Sequence, residues 1–390
     1  MTRFPLSVIL AVVFASSVFA QPVITADQSG SNAEKFTRLL NRSEDWLGAD
    51  GIYSIPLDGN DRWGSADKKT NTLFVFSDTM LGTADPETQK YRDVKMVNHS
   101  AAILTDYEPT QKQSGSMQFV YGKQGDGSRA NIFEKKYWLQ DGIVIDKKLY
   151  LTGFLPGKNW KPTQIDLLTI PLSPSGTPDW QQVSVSERVP LLVENEQFSV
   201  LFGIGIFDHT STDGFVYVYG YRDNLKTHVK HLVVARVKSE SFGEMERWRF
   251  WDGNEWSQDN TVAFRDEATL AERVSTELSV TPIAKDTFLL VFVQDVMSSR
   301  VAYKVGNSPM GPFGETVVFY EAPEPKTMER GIYVYNAKAH PHLSEPGLLL
   351  ISYNVNRLGS LPRNSNEYRP RFIELPMSAV SDEKNNENIQ

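Results

Sequence analysis

A pair of short apolar strands recurs five times along the chain, and this recurrence restricts the fold more than any other feature. Each copy opens on a polar residue, runs through a short apolar strand and a turn, and continues in a strongly apolar strand with a polar end. The copies are "ADGIYSIPL" with "TLFVFSDT", "QDGIVI" with "KLYLTGF", "FGIGIFD" with "GFVYVYGYRD", "TELSVTPI" with "TFLLVFVQD", and "AKAHPHL" with "GLLLISYNVN". Anchored on Asp50, Asp141, Gly203, Glu277 and His340, they lie 91, 62, 74 and 63 residues apart. A third strand follows every pair, and a fourth follows the first four: "MQFVYG", "DWQQVSV", "RWRFWDG" and "TVVFYE". Helical periodicity is confined to "SNAEKFTRLLNRS" and "RDEATLAERV". Four strands in each of five units predict an all-β chain folded as a five-bladed β-propeller.

The fifth unit lacks an outer strand, because the chain turns polar after Leu375. The segment around "PVIT" at residues 22–25 is expected to supply it and close the ring, hiding two sheet edges. The propeller then spans residues 21–376, and residues 377–390 read as a polar, disordered tail. Residues 1–20, with Arg3 ahead of an apolar stretch and small residues up to Ala20, have the form of a secretory signal peptide. The mature protein is therefore expected in the periplasm or outside the cell, as a monomer free of the membrane. It holds no cysteine, so its stability rests on its core rather than on disulfides. The net charge of −8 and the absence of a Lys/Arg cluster argue against a nucleic-acid partner.

In a propeller, the start of each first strand and the end of each second strand open at the same mouth of the central channel. Polar residues at those positions are Asp50, Asp78, Asp141, Tyr221, Arg222, Asp223, Glu277, Gln294, Asp295, His340, Asn354 and Asn356. Several carboxylates facing one cavity repel, which raises the proton affinity of at least one. Glycoside hydrolysis needs such a pair, with one acid to protonate the leaving oxygen and one carboxylate to attack or to activate water. Asp50, Asp78, Asp141 and Glu277 are the catalytic candidates. Tyr221, Arg222, His340, Asn354 and Asn356 are candidates for holding sugar hydroxyls, and Trp46 and Trp138 for stacking on sugar rings. Each has a structural alternative: a turn aspartate before glycine for Asp50 and Asp141, a strand-end cap for Asp78, an ion pair for Arg222 with Asp223, and core packing for the tryptophans. Asn98 in "NHS" also starts a third strand near the mouth. The paired histidines of "HPH" and "HVKH" lack a matching third ligand for a metal. No nucleotide motif is present and no cofactor is expected; nothing in the sequence points to a channel calcium ion, although the fold has room for one.

"GADGIYSIPL", "LFVFSDT", "DGFVYVYGYRD", "ELSVTPI", "LLLISYNVN" and "YRPRFIEL" together resemble a group of five-bladed propellers first catalogued as domains of unknown function. Some of its members are similar to endo-D-arabinanases. The resemblance spans about Gly48 to Leu375 and implies catalysis by two first-blade aspartates, which match Asp50 and Asp78 by motif. Ser77 stands where the group's strand-end motif has glycine. The first hairpin is long, carrying "DGNDRWGSADKKTN", and is expected beside the mouth. Better-known furanosidases of the same fold take carboxylates from successive blades, which would implicate Asp50, Asp141 and Glu277. The resulting expectation is an exported glycoside hydrolase acting on a furanose-containing, arabinan-like polysaccharide. A glycan-binding propeller without catalysis and a polysaccharide lyase are the alternatives.

Overall fold

Leu73, Phe74, Val75 and Phe76 are all fully buried, and alternate positions enter different cores. Phe74 and Phe76 pack with Trp46, Leu350 and Phe372, whereas Leu73 and Val75 pack with Leu139, Leu149, Leu151 and Leu168. Side chains on a strand alternate between its two faces, so a continuous apolar run is what a strand covered on both sides requires. Each such side chain contributes about 1.5–3 kcal/mol when fully buried. Leu289, Val291 and Val293 likewise enter one core and Leu290 and Phe292 another.

The computed structural model describes residues 24–25, 30–65, 71–111 and 115–380. Its architecture is all-β, and among the described residues the longest α-helix is Glu34–Leu39. Sheet one comprises Tyr53–Pro56, Thr72–Phe76, Ser100–Thr105 and Ser116–Val120. Sheet two comprises Trp138–Ile145, Lys148–Pro156, Pro162–Pro171 and Ser184–Ser186. Sheet three is built on Phe198–Asp208, Phe215–Asn224 and Lys230–Lys238, with shorter strands at its edges. Sheet four runs through Leu278–Ala284, Thr287–Val293, Arg300–Gly306 and Val317–Glu321, and sheet five through Ile332–Ala339, Leu348–Arg357 and Pro370–Pro376. The first strands of successive sheets touch in order, and Ser54 of sheet one meets His340 at the end of the fifth, 2.7 Å from Oγ to Nδ1.

Sheet five does receive an outer strand from the N-terminal side, from a different segment than expected. Ser31 and Asn32 pair antiparallel with Glu374 and Ile373. Ile24 and Thr25 run parallel to Val317 and Val318 on sheet four, and residues 22–23 lie outside the described residues. Residues 1–20, expected to be a signal peptide, and residues 381–390 also lie outside them. The polar tail was expected from residue 377, yet Val380 is buried and Met377 packs on the same core, so residues 377–380 belong to the fold. The first predicted helix is present as Glu34–Leu39. The second is replaced by a short 3-10 turn, Asp266–Ala268, and a strand, Ala271–Glu272.

The recurrence gave no sign of two smaller sheets, the lesser of which pairs Gly122–Lys123 with Arg129–Ala130. Glu44–Ala49, Thr79–Ala84 and Tyr91–Val97 form three antiparallel strands that prolong the second and third strands of sheet one beyond Phe76 and Ser100. The long first hairpin, expected at the mouth, lies at the other end of the sheets. There His342 Nδ1 and Asp61 Oδ1 are 2.7 Å apart, Trp63 Nε1 donates to the Leu348 carbonyl at 2.7 Å, and Arg62 bonds Ser211. The reason is connectivity: the hairpin joins Pro56 to Thr72, the ends remote from Asp50 and Asp78.

Candidate active site

Asp50 and Asp78 meet where sheet one passes into the three-stranded sheet. The Asp50 amide donates to the Asp78 carbonyl at 3.2 Å, and the Ser77 amide donates to the Asp50 carbonyl at 2.8 Å. Gly51 makes the crossing possible: its φ is +63°, and a Cβ there would lie 2.6 Å from Ser77 Oγ. Ser77 is accommodated in the place of the group's glycine because Gly51 leaves that space, and its hydroxyl donates to the Leu139 carbonyl at 3.0 Å.

The two carboxyls differ in surroundings. Asp50 Oδ2 accepts from the Tyr335 hydroxyl at 2.9 Å, and Asp50 Oδ1 is buried without a partner. Burial, then the charges of Asp78 and Glu277, push the Asp50 carboxyl well above the usual range. Asp78 Oδ1 accepts from Trp138 Nε1 at 2.8 Å and from Asn98 Nδ2 at 3.2 Å. Burial raises Asp78 to about 6, with those two donors holding it down. An unpartnered buried carboxylate oxygen is costly as an anion, so the proton of the pair resides on Asp50.

Sheet five places three side chains on Asp50 and Glu277 beside one irregularity. Its pairing shifts between Tyr335 and Lys338, and Asn336 adopts φ +58°. A bulge of this kind re-aims neighbouring side chains. Tyr335 reaches Asp50, Asn336 Nδ2 donates to Glu277 Oε1 at 3.0 Å, and the ammonium of Lys338 pairs with Glu277 Oε2. Lys338 is 2% exposed and lies 4.1 Å from the centre of the Tyr53 ring. Deeper in, Asp141 sits at a similar shift in sheet two, and its carboxylate accepts the amides of Gly142 at 2.9 Å and Ile206 at 2.7 Å. Burial outweighs those bonds and brings Asp141 to about 7. Asp141, Lys338, Asp61, Tyr53 and Ser279 line a narrow pocket, partly open to solvent.

Of the expected binding residues, Trp138 and Asn356 join this arrangement, Trp138 through Asp78 and Asn356 by donating to the Tyr335 hydroxyl at 3.3 Å. Tyr221 is buried within electrostatic reach of Glu277. Asn354 lies behind the site, its amide donating to the Ala49 carbonyl at 2.9 Å. Three others do not face the site. Trp46 is fully buried against Phe76 and Phe119, because Glu44–Ala49 is covered as a strand. Arg222 points the opposite way from Tyr221. Its guanidinium binds the Phe264 and Arg265 carbonyls, and Asp266 and Thr269 at 2.9 Å each. His340 is fully buried between Ser54 and Ser352 and against Phe74 and Phe372, and burial keeps its imidazole neutral. Among the described residues no group of three or more acidic or histidine side chains is arranged around a metal position.

Sequence reasoning missed Tyr335, Asn336, Lys338 and Tyr368, whose hydroxyl donates to the Asp78 carbonyl at 3.1 Å. The signal was present in "GIYVYNAKA", an alternating strand interrupted by Asn, but the fifth unit was read as starting only at "AKAHPHL".

A model of a domain of unknown function, DUF5005, matches residues 33–378. Among solved structures, a candidate hydrolase from Bacteroides ovatus ATCC 8483 superposes with a TM-score of 0.68 at 17% identity, covering 88% of this chain and 89% of its own. A thermostable family-43 glycoside hydrolase gives 0.40 at 13% identity over 86% of this chain and 90% of its own. An exo-β-1,3-galactanase from Phanerochaete chrysosporium gives 0.43 at 11% identity over 86% and 62%. Likeness at such identities is likeness of fold. No curated protein matches the sequence.

Proposed function

The chain belongs to the DUF5005 family of domains of unknown function, and we propose that it is an exported glycoside hydrolase. In this reading the five large sheets are the blades of a propeller, and Asp50 and Asp78 stand at the mouth of its channel. The observation that carries the reading is the pair itself: two adjoining carboxyls whose surroundings separate their proton affinities. Asp50, whose burial favours the protonated carboxyl, serves as the acid. Its proton passes to the glycosidic oxygen as the bond from that oxygen to the anomeric carbon breaks. Asp78, ionised above about pH 6, supplies the carboxylate that attacks the anomeric carbon or takes the proton of the attacking water. Glu277, held by Lys338 and Asn336, keeps a negative charge near Asp50 and supports its protonation. Asp141 occupies the deeper pocket and tunes the same field.

The resemblance of "GADGIYS" and "LFVFSDT" to the endo-D-arabinanase group favours a furanose-containing, arabinan-like polysaccharide. Export rests on the leader-like residues 1–20, and a periplasmic or extracellular monomer fits a polymeric glycan met outside the cytoplasm. The test is incubation of the protein with arabinans, galactans and pectic fragments, followed by identification of released sugars. Asp50→Asn and Asp78→Asn are each expected to abolish release while the circular dichroism spectrum stays that of the parent. Full activity in either variant overturns the assignment.

A further inference from the structure

Trp138 donates its indole N–H to Asp78, and its ring is stacked under that of Trp160, 5.5 Å between centroids and 14° between planes. Phe154 closes the edge of Trp138 at 5.3 Å, so the expected sugar-stacking face of Trp138 is already occupied. Trp160 is 60% exposed and turns its other face to solvent. It belongs to the turn that joins the second and third strands of sheet two, on the Asp78 side.

That turn is strained although the indole it holds packs on one face only. Asn159 and Trp160 both take left-handed backbone, φ +57° and +63°. For a bulky residue this conformation is an outlier, and it persists only where the surroundings impose it. Here the Gly157 amide donates to the Lys161 carbonyl at 2.8 Å, the Trp160 amide donates back to the Gly157 carbonyl at 3.2 Å, and Lys161 pairs with Glu194 at 3.0 Å. The turn holds an indole out of the core, flat upon another indole that is fixed to a candidate catalytic carboxyl. Burial of Trp160 cannot be the purpose, since it is not buried.

We propose that the outer face of Trp160 is a sugar subsite, where the ring next to the one being cleaved stacks its C–H face on the indole. The chemistry is that of a neutral carbohydrate ring on an aromatic face. Trp138 is then a positioning residue, linking the platform to Asp78. The inference rests on the glycoside-hydrolase reading, and it adds that the enzyme grips at least two consecutive sugars.

The test uses arabino-, galacto- and pectic oligosaccharides, titrated by calorimetry and tryptophan fluorescence into Asp50→Asn protein, where nothing is cleaved. With Trp160→Ala added, affinity for the bound oligosaccharide is expected to fall about tenfold, and Trp160→Phe to recover most of it. In the active background Trp160→Ala raises KM by a similar factor, and kcat changes far less. Unchanged affinity and KM in Trp160→Ala, with the parent still hydrolysing the glycan, overturn the subsite and leave the hydrolase reading standing. A fall in thermal midpoint with loss of kcat also overturns it, by marking Trp160 as structural. Failure of the unaltered protein to bind or cleave any of the glycans removes both readings.

Discussion

Asp50 and Asp78 are the same residue type a hydrogen bond apart in backbone, yet their neighbours are different: tyrosine hydroxyls, Tyr335 first among them, for Asp50, and an indole and an amide for Asp78. Each donor stabilises the anion, so removing it raises the proton affinity of its own partner. The two variants should therefore move opposite limbs of the pH–rate profile. In the proposed mechanism Asp78 works as an anion, so the rate is expected to rise with pH through about 6. Asn98→Ala removes one donor, raises Asp78 further, and shifts this acid limb to higher pH. Asp50 works protonated, and the rate falls as it ionises. Tyr335→Phe raises Asp50 and shifts the alkaline limb to higher pH, leaving the acid limb in place. The measurement is kcat/KM against pH on any glycan the parent hydrolyses. If Tyr335→Phe moves the acid limb instead, the two aspartates have exchanged roles.

At the scale of elements, the strands were legible and the irregularities within them were not. "LFVF" announces a strand buried on both faces, and the polar residue closing such a strand is at its open end, which is why Asp50 and Asp78 could be picked out. Alternation along "YGYRDN" also shows why Arg222 was misplaced: neighbours on a strand face opposite sides, so Tyr221 and Arg222 cannot both line the channel. The bulge that turns Tyr335, Asn336 and Lys338 toward carboxylates has no such signature, because its cause is pairing with Leu348–Arg357 rather than local composition. Trp46 was hidden by a similar long-range fact, the pairing of its strand with Thr79–Ala84. Gly51 is a local requirement that can be tested directly. Alanine there must hold φ +63°, a conformation costing about 1–2 kcal/mol for a residue with a Cβ. It must also displace the Ser77 hydroxyl from the Leu139 carbonyl. Gly51→Ala is expected to lower stability by about 2 kcal/mol or more in denaturant titration and to reduce kcat, since both aspartates flank the disturbed crossing. A variant with unchanged midpoint and rate shows that the crossing does not need glycine.

At the scale of the whole molecule, the circuit of five sheets closes only if the last sheet packs on the first, and one short segment does much of this joining. Ser31 and Asn32 extend sheet five, and the Ala33 amide donates to the Phe372 carbonyl at 2.9 Å. Helix Glu34–Leu39 then lays Phe36 on Phe372 at 5.2 Å and on Tyr107 at 4.9 Å, so a single ring bridges sheet five and the end of sheet one. Lys35 reaches Glu345 and the Pro109 carbonyl across the same seam. The contacts with Phe372, Ile373 and Glu374 join residues some 340 positions apart in the chain, and they repay their ordering only when the intervening sheets are formed. Phe36→Ala should therefore act on the entire fold rather than on a peripheral helix. The expected loss is about 3–5 kcal/mol, the cost of emptying a buried phenylalanine site. It should appear as a lower denaturant midpoint of one cooperative transition, seen at the same concentration by tryptophan fluorescence and far-ultraviolet circular dichroism. Were the segment a loosely attached arm, the variant would instead show an early, small transition followed by unfolding of the rest at the parental midpoint. That outcome would separate closure from stability and require another contact to hold sheet five against sheet one. The Ser54–His340 bond is the next candidate in line, since it spans the same pair of sheets.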